Sequence, residues 1–99
     1  MYFLATARVF EAPQIGGAVR RCPVLDRAIV GQIAKAREAA GLNQRELSSR
    51  LGYRNNYIQN IETGGQSVSA SELHVIASEC GSTGPELLTR AIREAKGRW

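Results

Sequence analysis

The sequence predicts an all-α fold: five short helices in one domain, preceded by an N-terminal extension. Three observations carry this. From residue 26 onward, apolar residues recur at three- and four-residue spacing, the signature of one buried helical face. The periodic stretches open on Asp, Asn, Ser or Thr, three times with Glu three positions later, as a reciprocal helix cap requires. Most of them then stop at glycine, which takes the left-handed conformation other residues resist. At 99 residues the chain has room for one modest core.

The chain divides into an extension, residues 1–25, and a helical domain, residues 26–96. In the extension, Phe3, Ala5, Ala7 and Val9 alternate with Tyr2, Leu4, Thr6 and Arg8, as in a strand. Gly16-Gly17 would turn the chain into a second strand over 18–22. The same opening also fits a helix with Phe3, Ala7 and Phe10 on one face, although the hairpin is preferred. A lone hairpin is barely stable in water, so a helix or a partner chain would have to cover it.

The first helix is expected over about 26–40, with Asp26 as its cap and Ile29, Ile33, Ala36 and Ala40 as its apolar stripe. Gly41 ends it. Asn43-Gln44-Arg45-Glu46 is a capping box opening the second helix, in which Leu47 and Leu51 face inward before Gly52. The third is expected over about 54–62, starting at Arg54 or Asn55, with Ile58 and Ile61 inside. Ser69-Ala70-Ser71-Glu72 is a second capping box, followed by Leu73, Ile76 and Ala77 and stopped by Gly81. Thr83-Gly84-Pro85-Glu86 opens the fifth helix, with Leu87, Leu88, Ala91 and Ile92 on its apolar face. Pro85 is harmless in a first turn, where its missing N–H has no helical partner. Helices this short are marginal alone and must hold one another by packing.

Composition narrows the function. Thirteen Lys and Arg against nine Asp and Glu leave a net charge of +4, which suits a polyanionic partner such as nucleic acid. Cys22 and Cys80 stand apart and, with the lone His74, cannot make a four-ligand zinc site; Cys80 reads as a buried thiol. No metal, cofactor or enzymatic activity is expected, since one histidine without a local partner supports no mechanism. No apolar run approaches a membrane span, and the opening residues lack the basic start of a signal peptide, so a cytoplasmic protein is expected. The third helix offers Asn55, Asn56, Gln59 and Asn60 around Tyr57. An amide presents a donor and an acceptor together, matching adenine N6 and N7, and asparagine is otherwise a poor helix former.

The segment Gly41 to Gly64 carries Gln44, Leu47, Ser48, Leu51, Gly52, Ile58, Ile61, Glu62 and Gly64 at fixed spacing. This pattern resembles the helix-turn-helix of the phage repressor and Cro family, the XRE family of bacterial regulators, over about residues 27–92. The resemblance implies a lambda-repressor-like domain and a sequence-specific transcriptional regulator of double-stranded DNA. It places Asn55, Asn56 and Asn60, with Gln59 beside them, at bases in the major groove, Asn55 alternatively serving as a cap. It places Gln44 at a phosphate. Arg45, Arg54, Tyr57 and Arg50 are candidates for further backbone contacts. Arg37 and Glu62 match a structural salt bridge of the family, or are ordinary surface charges. Two departures stand out: Ser48 replaces the usual Ala, small enough for close helix approach, and Arg54 replaces a small Ser or Thr cap.

One short helix reads few bases, so a homodimeric repressor on a pseudo-palindromic operator is expected. Its interface would use Leu88 and Ile92 or the extension. The extension is otherwise a DNA-contacting arm through Arg8, Arg20 and Arg21. The alternative function is an antitoxin that binds a toxin protein and represses its own operon.

Overall fold

Pro23 sets the start of the first helix. Its fixed φ and missing N–H suit a first helical position, and Asp26, three residues on, places its charge in the positive first turn. A computed structural model describes residues 22–98, in which five helices follow one another: α1 (Pro23–Ala39), α2 (Gln44–Arg50), α3 (Tyr57–Glu62), α4 (Ala70–Glu79) and α5 (Gly84–Ala95). Helix α1 therefore begins three residues before the expected boundary. Asp26 is not its cap; its N–H donates to the Cys22 carbonyl at 2.9 Å. The extra turn brings Val24, Leu25 and Ala28 against Ala91 and Ala95 of α5. Ala40, expected in the buried stripe, is the exposed C-terminal cap. The hairpin, helix and arm alternatives for the extension lie outside the described residues, apart from Cys22.

The caps of α2, α4 and α5 form where the sequence puts them. Asn43 Oδ1 accepts from the Glu46 N–H and Glu46 Oε1 accepts from the Asn43 N–H, both at 2.8 Å. Ser69 and Glu72 repeat the arrangement at α4. Thr83 caps α5 through the Glu86 N–H, and the Gly84 N–H donates to His74 Nδ1 at 3.1 Å. Each helix contributes to one core: Ile33, Leu47, Ile58, Ile61, Ile76 and Leu87 are fully buried. Cys80 packs against this core, and burial pushes its thiol pKa up. No described helix is long and apolar enough to cross a membrane.

Candidate nucleic-acid interface

Helices α2 and α3 form a pair joined by a turn at Gly52, whose φ of +79° only glycine adopts readily. Arg54, Asn55 and Asn56 stay outside the helix, with the Tyr57 N–H donating to the Arg54 carbonyl at 3.0 Å. So α3 starts at Tyr57, later than expected, and Asn55 is not its cap. Asn56 occupies that position and makes no side-chain capping bond.

The inner side of α3 is held at three places. Ser48, fully buried on α2, accepts from the Ile58 N–H at 3.1 Å and donates to the Gln44 carbonyl at 2.9 Å. Tyr57 is buried rather than directed outward. Its hydroxyl donates to Glu72 at 2.8 Å and its ring lies against Tyr53, with centroids 4.1 Å apart. Placed this way, Tyr57 is a core residue with its hydroxyl engaged by Glu72, rather than the outward side chain expected of a DNA-backbone contact. Burial, followed by Glu72, pushes its phenol pKa up, while the Ser69 N–H and the Tyr57 hydroxyl hold the Glu72 carboxyl below the usual range. At the other end, Arg37 reaches Glu62 with Nε at 2.8 Å and Nη2 at 3.1 Å, both side chains nearly buried. Gln44 Nε2 joins the same carboxylate at 2.7 Å.

What remains outward is polar. Asn55, Asn56, Gln59 and Asn60 are all exposed, and their side chains bond to no other described residue. The family model described as Helix-turn-helix matches residues 33–88, more than half of the chain. The chain belongs to the Cro/C1-type helix-turn-helix family. No match was found among curated proteins or among solved structures. In helix-turn-helix proteins generally, the first helix of the pair crosses the DNA backbone and the second lies in the major groove, and the family is one of DNA-binding transcription regulators.

Within this helix-turn-helix, Arg45 is exposed in the first turn of α2 and Arg54 in the segment between α2 and α3, whereas Arg50 lies 3.7 Å from Glu79 of α4. Gln44 gives one N–H to Glu62 and keeps a second donor. Two residues that hold the pair, one on α2 and one on α4, carry roles that sequence reasoning missed. Ser48 was legible as small, but its use as an acceptor depends on a contact ten residues along the chain. Glu72 was legible as half of a capping box, with nothing in that motif to signal its bond to Tyr57.

Proposed function

We propose that this helix-turn-helix protein is a homodimeric repressor that reads its operator with α3 and the turn before it. The observation carrying the reading is the division of that segment into two faces. Tyr57, Ile58 and Ile61 are locked inward, and four exposed amides bond to no other described residue. Asn55, Asn56, Gln59 and Asn60 are the base-reading set, suited to adenine by their paired donor and acceptor. Gln44, Arg45 and Arg54 hold the phosphates and fix the register. Arg50 contributes only if it leaves Glu79. The buried Arg37–Glu62 pair sets the angle between α1 and α3 and reads nothing.

Dimerisation uses Leu88 and Ile92 of α5, 37% and 41% exposed, and would present two α3 helices to half-sites about 34 Å apart. Repression needs only occupancy of the operator. The test is binding to the DNA upstream of the protein's own gene, for wild type and Asn55→Ala/Asn56→Ala, across a salt series. Tight wild-type binding that falls to the random-duplex level in the variant supports the reading. Arg45→Ala should instead weaken all duplexes alike and reduce the salt slope by about one. Absence of salt-dependent binding to any duplex would overturn the reading and leave a protein-binding scaffold.

A further inference from the structure

We infer that Ser48 is a positioning residue for operator recognition: by capping α3 from within the fold, it keeps the Asn56 amide free for bases. The inference rests on the reading that α3 and its turn contact the operator. The first backbone N–H groups of any helix lack helical partners, and asparagine is among the best side chains for satisfying them. Asn56 stands at that position and does not do it. Its backbone, at φ −99° and ψ 11°, is not the extended conformation of a capping residue. The other side-chain caps of this protein show the contrast. Asn43 (ψ 174°), Ser69 (ψ 166°) and Thr83 (ψ 156°) are all extended, and each accepts from the N–H three residues on.

At α3 the bond comes from elsewhere. Ile58 is the second helical residue, one of the two N–H groups a cap residue serves, and its N–H is taken by Ser48 Oγ. Because Ser48 donates its own proton to the Gln44 carbonyl, its lone pair is fixed toward Ile58 by helix α2. The Tyr57 N–H is meanwhile satisfied by the Arg54 carbonyl and the Asn60 N–H by the Asn56 carbonyl. Only the Gln59 N–H, on an exposed residue, lacks an acceptor among the described residues of this turn, so the buried Ile58 N–H makes no demand on the Asn56 side chain. Removing the Ser48 hydroxyl leaves the buried Ile58 N–H without an acceptor, a costly state that a rotation of Asn56 to the extended conformation would relieve. The amide would be withdrawn from the groove-facing side.

Wild type, Ser48→Ala, Asn56→Ala and the double variant are compared for operator and random-duplex affinity, with thermal melts. Ser48→Ala should lower the operator-to-random ratio about tenfold, the size of one lost base contact, with random-duplex affinity and salt slope unchanged. In the Asn56→Ala background it should lower the ratio no further, because Ser48 acts through Asn56. An unchanged ratio in Ser48→Ala, or an equal loss with and without Asn56, would overturn the inference. The melts test it without relying on the fold of Ser48→Ala. Asn56→Ala should leave Tm nearly unchanged, whereas Asn43→Ala, which removes a real cap, should lower it by about 4–8 °C. Equal losses in those two variants would also overturn it. A wild type without operator preference would refute the functional reading itself, and the inference with it; wild-type preference lost in Asn56→Ala but kept in Ser48→Ala refutes the inference alone.

Discussion

Glu62 concentrates three hydrogen bonds from two residues on one carboxylate, and its surroundings decide what that is worth. Exposed ion pairs contribute little, as expected of Arg90 and Glu86, which are about half exposed. Arg37 and Glu62 are only 12% and 10% exposed, so truncating the arginine leaves a nearly buried carboxylate with only the Gln44 amide as its side-chain partner. Arg37→Ala should cost about 3–5 kcal/mol in urea unfolding, and Arg90→Ala less than about 1 kcal/mol. Equal effects would mean that burial does not set the value of the pair. Glu72 makes a pH-dependent contribution of definite sign. Its carboxyl pKa is depressed in the folded chain, first by the Ser69 N–H and then by Tyr57. The stabilisation is therefore present above the unfolded pKa of about 4.3 and disappears as pH falls through the folded value. Urea midpoints at pH 6 and pH 3 should show a wild-type advantage over Glu72→Gln at the higher pH that shrinks at the lower. An advantage that grew on acidification would contradict the assignment.

At the scale of elements, local signals were legible and distant ones were not. The starts of α2, α4 and α5 follow from Asn43, Ser69 and Thr83, each bonding to an N–H three residues away, information wholly contained in the neighbouring sequence. The start of α3 is set by a residue on another helix, so no reading of Arg54 to Tyr57 alone could locate it. The same holds for Tyr57: its outward or inward direction depends on Glu72, which lies beyond the next turn. The exposed amides were legible because their chemistry is unusual for a soluble helix. Gly84 shows a packing demand overruling helix propensity. As the first residue of α5 it would gain helix propensity as alanine, at most about 1 kcal/mol. An added Cβ, however, would lie 2.9 Å from His74 Cα, where backbone rather than a flexible side chain must yield. Gly84→Ala should therefore destabilise, by about 1–3 kcal/mol, and perturb the His74 resonances in an NMR spectrum. A stabilised variant would show that α4 and α5 separate freely.

Across the whole molecule, α1 and α5 close the domain. Ala28 packs on Ala91 and Ala95, and buried Gln32 donates to Glu94 at 3.0 Å. With its inner side committed to this contact and to Leu87 in the main core, α5 leaves Leu88 and Ile92 on the outside. The two are four residues apart, hence neighbours on one stripe, the form a self-complementary two-fold contact requires. In the proposed dimer each subunit contributes both residues, so four partly exposed apolar side chains leave water together. At about 1 kcal/mol for the remaining exposed part of each, the contact is worth roughly 4 kcal/mol, near a thousandfold in dimer affinity. Leu88→Ser/Ile92→Ser should then be monomeric in sedimentation experiments at concentrations where wild type is a dimer. Its Tm, measured under monomeric conditions, should change little, because neither side chain belongs to the buried core. Operator affinity should fall while random-duplex affinity per subunit is retained, since the amides of α3 and the arginines beside it are untouched. A variant that remains dimeric would place the interface elsewhere on the chain, and a monomeric wild type that still recognises its operator would remove the dimer from the mechanism.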